Sequence, residues 1–519
     1  MPWEGLTMFR FGRLAVIAVL SAALLPAGGS AATYYVDCSR GTNGNGSATN
    51  PWNSLATVSS RPFAPGDTVL FERGTTCNGA LLFRRAGTAA SRITIGANGT
   101  GPAPIINGAG NPAAVRLTNP SYVTVQDLEI ANSARYGLFA TSSTTATVNG
   151  LQIRNLVVHH VTGSAMDGKA TGLVLVMPGV SGSRFNDVLI EGVTAYDTSL
   201  WAGILVHGEY LTGDRQWARH AQELARRSTN IMILGCTVHD TQGDGIATYM
   251  ASHVVMAGNV VYRSGMQPIQ TIATPNAIWS WASNDVLVHG NEAYDNHSPG
   301  ADGGAFDIDY YSVDTTVQYN YAHDNQAYCI AVFGAERTST VNSIVRYNVC
   351  ANNGRMGTGD GAEEIYFATW NSGRIDGAQV YNNTVYPTAR GAVGTPSWAP
   401  RPSFGTLPLL FENNLVVSTV ANVLGSGMTN VPFQRDYNLY RYTAGAVAGD
   451  EPHSLYGLDP LVDGLGYHDV GRPVTEWTLL PGSPAIDRGT VITGAPATDF
   501  YGNDVPRGLA PDIGAHEAQ

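Results

Sequence analysis

The clearest pattern along the chain is a short stretch of alternating character that returns, in variant form, about every 30 residues. In Phe306-Asp307-Ile308-Asp309, apolar and charged positions alternate with period two, the mark of a strand with one buried face. Similar stretches start at Leu173, Ile204, Ile246, Ile278, Ile330 and Ile365. Their first and third residues are expected to face a core, as in Ile204 with Val206, Ile330 with Val332 and Ile365 with Phe367. The second and fourth then face outward: Leu205 and His207, Ala247 and Tyr249, Trp279 and Trp281, Asp307 and Asp309, Ala331 and Phe333, Tyr366 and Ala368.

A second motif sits between these strands. A small residue and Asn lead into a short β-branched strand that ends in Tyr or His, as in Gly258-Asn259-Val260-Val261-Tyr262 and Gly290-Asn291-Glu292-Ala293-Tyr294. Asn320, Asn348, Asn383 and Asn414 continue the series, and Cys236 holds the equivalent place in an earlier copy. A repeat of this length made of strands and turns predicts a solenoid. The intervening segments lack apolar positions at helical spacing, which argues against β-α-β units. Stacking would bring the repeated Asn side chains into an amide ladder, a structural role. Asp197, Asp240, Asp295 and Asp324 follow Tyr or His too regularly to form a site, and they are expected to satisfy backbone N–H groups in turns.

Composition narrows the picture. Of 519 residues, 60 are Gly and only 13% are charged, which fits turns and strands better than long surface helices. A net charge of −12 argues against a nucleic-acid partner and offers no basic face to a membrane. Lys169 is the single lysine. Arg10 and Arg13 precede an apolar run from Leu14 to Leu25 and small residues through Ala32, so residues 1–32 read as a secretory signal peptide and the protein is expected to be secreted. In that setting Cys38 is expected to pair with Cys77, and a Cys329–Cys350 bond would leave Cys236 free. No CxxC occurs, so a zinc site is not expected.

Residues 33–91 read as an N-terminal cap with the first strands, 92–442 as the coils, and 443–519 as the coil end with its own cap. The Pro65-Gly66-Asp67 turn, the coils, and a tail running from Ser483-Pro484-Ala485-Ile486-Asp487 to Pro511-Asp512-Ile513-Gly514-Ala515-His516-Glu517 resemble the right-handed parallel β-helix superfamily of pectate-lyase-like architecture. The resemblance implies an all-β fold, a single-stranded right-handed parallel β-helix solenoid capped at both ends. It also implies a carbohydrate polymer lying along the outer face of the coils. It does not name the reaction, because the superfamily holds hydrolases, lyases, epimerases and adhesins. The polygalacturonase-type Asn-Thr-Asp, Gly-Asp-Asp and Gly-His-Gly set is absent.

The chemistry is expected at Asp307 and Asp309. Residues i and i+2 of a strand share a face, about 6.6 Å apart at the backbone for a rise of about 3.3 Å per residue. Inverting glycosidases hold two carboxyl groups about 6.5–9.5 Å apart, and one carboxylate raises the pKa of its neighbour. A glycoside hydrolase is therefore the first reading, with Asp302, Asp244 and Glu364 (or Glu363) as reserve partners and no cofactor. His207, Tyr249, Trp281 and Phe333 would form an outward row with Asp309, and Trp279 and Tyr366 would line subsites for a polysaccharide or oligosaccharide. The row is expected to be an open trough; its alternative is a satellite core covered by the helical-looking insert between Gly208 and Thr229.

The second reading is a polysaccharide lyase. Calcium held by Asp302, Asp307, Asp309 and Glu364 would neutralise a uronate, and Arg337 would act as base or clamp. Lys169 is a weak candidate there, placed several coils away as a solvated turn residue. The third reading is a non-catalytic glycan binder. A monomer is expected in each case.

Overall fold

The computed structural model describes residues 31–163, 169–209, 224–266, 274–355, 361, 363–387, 393–394, 403–418, 433–442, 450–463 and 476–518. All but the last two residues of the signal peptide read at 1–32, and most of the insert after Gly208, lie outside these residues. Of the insert, a short 3-10 turn at Leu224–Arg226 is described. Among the described residues no helix is long and apolar enough to cross a membrane.

The chain is a right-handed parallel β-helix solenoid. Its strands stack into parallel sheets of 15, 14 and 11 strands among the described residues, and a typical coil gives one strand to each. The alternation read from the sequence sets the register of the 11-stranded sheet. Ile204 pairs with Ile246, Ile246 with Ile278, Ile278 with Phe306, Phe306 with Ile330, and Ile330 with Ile365. The copy placed at Leu173 is one residue out, because Val174 pairs with Ile204. Leu173, Val174, Leu175 and Val176 are all apolar and all buried, so alternation could not choose between them. First and third residues, such as Phe306 and Ile308, fill the central core. Stacking begins at Thr33–Val36 and its last pair is at Leu455–Tyr456, on either side of the 92–442 stretch.

The asparagines form the expected ladder. Each buried side chain donates to the Oδ1 of the Asn one coil on, from Asn259 to Asn291 (2.9 Å), then Asn320 (2.9 Å), Asn348 (3.0 Å), Asn383 (3.0 Å), Asn414 (2.9 Å) and Asn438 (3.2 Å). The Cys236 backbone N–H joins the series at Asn259 Oδ1. A second ladder, not anticipated from the sequence, runs through Asn296, Asn325 and Asn353. Each ladder ends on a carboxylate that accepts the last amide: Glu451 for the first and Glu364 for the second.

The aspartates that follow Tyr or His are structural in a different way from that expected. Asp197, Asp240, Asp295 and Asp324 all have φ between 51° and 58°, a left-handed conformation that Asp tolerates better than most residues. Their carboxylates pair with side chains, as Asp240 does with Arg263 at 2.6 Å and Asp324 with His323 at 2.9 Å. The expected Cys38–Cys77 disulfide is present, the Cys329–Cys350 bond that the sequence left open is formed as well, and Cys236 is free and buried. The C-terminal stretch runs back along the coils. Tyr319 donates to the Thr498 carbonyl, and Asn382 donates to that of Asp512.

Candidate active site

Two sets of positions converge outside the 11-stranded sheet. One is the outward second and fourth residues of its strands. The other is the turn that precedes each strand, which contributes Lys169, Trp201, Asp244, Asn276, Asp302 and Tyr328 from successive coils.

Phe306 and Ile308 point into the core, so Asp307 and Asp309 point out, as the alternation required. They do not lie in an open trough. Asp307 is 3% exposed and Asp309 8%, and Tyr249, Trp279, Phe333, Tyr366 and His207 are buried with them. The outward row is a satellite core, because apolar side chains on both faces of a strand leave two surfaces to cover. Tyr249 and Trp279, with Trp201, form its N-terminal part, and Phe333 and Tyr366, with Tyr328, the C-terminal part. The aspartates stand between the two.

Hydrogen bonds sort the carboxylates into different roles. Asp244 accepts from Trp201 Nε1 and Tyr249 Oη, both at 2.6 Å, and from the Asn276 backbone N–H at 3.2 Å. With three donors it ties neighbouring coils together and is not a spare acid. Asn276 donates Nδ2 to Asp307 Oδ2 at 3.1 Å, and its Oδ1 accepts from the Gly304 N–H at 3.0 Å and Tyr328 Oη at 2.9 Å. Tyr328 Oη also lies 3.0 Å from Asp302 Oδ1. Asp309 Oδ1 accepts the Tyr310 N–H at 2.8 Å.

Asp307 Oδ1 and Trp279 Nε1 are among the buried polar atoms with no hydrogen-bond partner among the described residues. Their residues are register partners on adjacent strands. A buried polar atom left unpaired costs about 1–3 kcal/mol, so an open acceptor beside an open donor is a costly arrangement for a site with only a structural role.

Burial and mutual repulsion raise all three remaining aspartates. Asp302 is pushed up to about 6, mainly by burial, although it keeps some contact with solvent. Asp309 is pushed up to about 8 by burial and by Asp302 and Asp244, against the Tyr310 N–H and the charge of Lys169. Asp307 stands well above the usual carboxylate range through burial, Asp309 and Asp302. Near neutral pH the cluster therefore holds ionised and protonated carboxyls side by side, which is what paired acid and base catalysis needs.

The other sequence candidates fall elsewhere. Glu364 is fully buried at the end of the second ladder, where it accepts from the Asn353 backbone at 2.9 Å and Asn353 Nδ2 at 2.7 Å; burial raises it to about 8. It lies beside Cys329 and Cys350, but their sulfurs are joined to each other, so the three do not make a metal centre. Arg337 is on an exposed turn with Glu336, Asn371 and Ser372, and makes no ion pair with the aspartates among the described residues. His207 faces outward but is buried. Its Nδ1 lies 3.1 Å from the Gly208 carbonyl, and burial lowers it to about 4. Lys169 corrects the reading in the other direction. It is no solvated turn residue, since its Nζ sits 4.4 Å from the Trp279 ring centroid and 5.2 Å from that of Trp201.

Sequence reasoning missed Asn276 and Tyr328, which stand two residues before their strands. It also missed Tyr310 and Trp370, half-buried rings that continue from Trp281 beside Asp309, with centroids 6.0 and 5.5 Å apart in turn. Tyr328 reaches Asn276 across an intervening coil because Gly304, between them, has no side chain. A methyl group there would overlap the Cδ2 and Cε2 atoms of the Tyr328 ring. Gly304→Ala is therefore expected to displace Tyr328 and to lower stability by about 1–3 kcal/mol. Near-ultraviolet circular dichroism and thermal melting check it; an unchanged tyrosine signal would contradict the packing.

Comparison with known proteins agrees with the fold. Residues 113–385, more than half of the chain, match the family described as "Right handed beta helix region". The chain belongs to the right-handed β-helix family. It is 26% identical to a lacto-N-biosidase of Bifidobacterium longum over 94% of its own length and 36% of the relative's. The chain thus spans about a third of the length of that curated relative. Among solved structures, the native GH136 lacto-N-biosidase of Eubacterium ramulus superimposes with a TM-score of 0.59 at 22% identity, covering 72% of this chain and 67% of that one. Its selenomethionine derivative gives 0.58 at 22%, covering 76% and 67%. These superpositions speak to this β-helix chain's fold.

Proposed function

We propose that this β-helix protein is a glycoside hydrolase acting on an oligosaccharide, with its acid and base drawn from Asp302, Asp307 and Asp309. One observation carries the reading: three carboxyls cluster on one coil, all raised by burial and by neighbouring carboxyls, and one of them, Asp307, keeps an unpartnered oxygen on the strand next to the unpartnered Trp279 indole N–H. Hydrolysis of a glycosidic bond needs a carboxylic acid to protonate the leaving oxygen and a carboxylate on the other side of the bond. Asp302, titrating lowest, supplies the charged member near pH 7, and Asp309 the protonated one. Trp281, Tyr310 and Trp370, only partly buried, are placed to pack on a sugar ring next to Asp309. The similarity to a lacto-N-biosidase favours hydrolysis and makes oligosaccharides ending in a lacto-N-biose unit the first substrates to try. We place the enzyme outside the cytoplasm, in keeping with its two disulfides.

The test is a panel of oligosaccharides and polysaccharides read by product mass. Products heavier in sum by one water are expected, with turnover unaffected by EDTA. Unsaturated products absorbing in the ultraviolet, lost on adding EDTA, would point to a calcium-dependent lyase instead. Binding without any product would leave a glycan-binding protein.

A further inference from the structure

The chain has one lysine in 519 residues, and the fold carries it into the aspartate cluster. Lys169 precedes the Gly172–Met177 strand, several coils before Asp302 in sequence, yet its Nζ donates to the Thr274 carbonyl at 3.0 Å. It lies against the Trp279 and Trp201 rings, so the cation is held on two aromatic faces and by one carbonyl. Both rings belong to the site: Trp201 Nε1 donates to Asp244, and Trp279 is the register partner of Asp307. Among the described residues Lys169 makes no direct ion pair with any carboxylate.

Its charge is felt by Asp302, Asp307 and Asp309, and Asp244, which accepts the indole N–H of Trp201, acts on the same three. Asp244, Asp307 and Asp309 are buried, and Lys169 and Asp302 half-buried. A cation that is not bonded to any one of them acts on all through the low dielectric.

We propose that Lys169 is a positioning residue of this site, its ammonium serving through space as the counter-charge to the aspartate cluster. It lowers Asp302, Asp307 and Asp309 alike, opposing burial. It touches no reacting atom in this scheme. The proposal rests on the hydrolase reading for its kinetic consequence, but not for its electrostatic one.

The experiment uses the full chain and the fact that only one side chain carries an amine. Reductive methylation with carbon-13 formaldehyde keeps the charge and labels Lys169 plus the N-terminal amine. The Lys169 methyl resonance is expected to shift as pH passes through the titration of its acidic neighbours, and Asp302→Asn is expected to remove one of those steps. A resonance that reports only its own deprotonation would overturn the proposal, whether or not a substrate is known. On an active substrate, Lys169→Met removes the cation. That raises neighbouring carboxyls, so the acidic limb of the kcat/KM profile is expected to move up by about one pH unit, with kcat down at least about tenfold. Lys169→Arg is expected to restore the limb. A Lys169→Met enzyme with raised KM and an unmoved limb would make Lys169 a packing residue and refute the counter-charge. If no substrate is found while the resonance shows the neighbouring steps, the hydrolase reading fails and the counter-charge stands.

Discussion

Asp309→Asn is expected to cut turnover by about 10²–10⁴-fold and to leave a folded, slightly more stable protein. The loss follows from the site: the amide keeps the shape and can still accept the Tyr310 N–H, but it cannot deliver or take a proton. The gain in stability follows from linkage. Asp309 ionises near 3.8 when unfolded and near 8 when folded, so between these values folding must take up a proton. The contribution of the protonated carboxyl is complete below about pH 4 and is lost as pH rises toward 8. Asn is neutral throughout. The variant should therefore match the parent near pH 4 and exceed it increasingly up to pH 8, by about 1–3 °C in Tm. Asp307, also raised well above the usual carboxylate range, acts in the same direction. Melting curves at the two pH values and product assays check both parts. Full activity in the variant would remove Asp309 from the mechanism, and a stability gain confined to acid would reverse the assigned shift.

The second large effect is expected in the first ladder. Asn348 is fully buried and donates Nδ2 to the Val317 carbonyl at 2.9 Å and to Asn383 Oδ1 at 3.0 Å. Its own Oδ1 accepts both the backbone N–H and the Nδ2 of Asn320, each at 3.0 Å. Asn348→Ala removes all four bonds and strands donors and an acceptor where water cannot reach them. A cost of about 3–6 kcal/mol is expected, since each unpaired group retains its own desolvation penalty. Cys236→Ala, at the same place in an earlier coil, is expected to cost about 1 kcal/mol, because the thiol makes only weak contacts with the Ile190 and Leu234 carbonyls. Denaturation midpoints compare the two. Equal midpoints would mean that the amide column adds nothing beyond packing.

The contrast between these residues also explains what was readable in advance. The first Asn series was legible because its members share one local motif, a small residue before and a β-branched strand after. Asn296, Asn325 and Asn353 each stand five residues after a member of that series, so their spacing was in the sequence as well; what hid them is their place just after the strand, where an Asn reads as an ordinary turn residue. The outward direction of Asp307 and Asp309 came directly from period two. Their burial did not, because alternation reports which side of a strand a residue takes and not what lies over that side. Lys169, Asn276 and Tyr328 were out of reach for a related reason. Each meets the aspartates through a turn whose path the strand pattern does not constrain, and Tyr328 does so only because Gly304 leaves room.

Asp302, Asp307 and Asp309 come from one coil, while Lys169, Trp201, Asp244, Asn276 and Tyr328 come singly from the turns of other coils, and the core runs uninterrupted beneath them. Exchanging one turn therefore changes one functional group and leaves the supporting stack as it was. Such a scaffold is open to stepwise retooling: new specificities can arise by trading single loops, whereas losing the one coil that carries the three aspartates would keep a sound solenoid and remove the reaction centre whole.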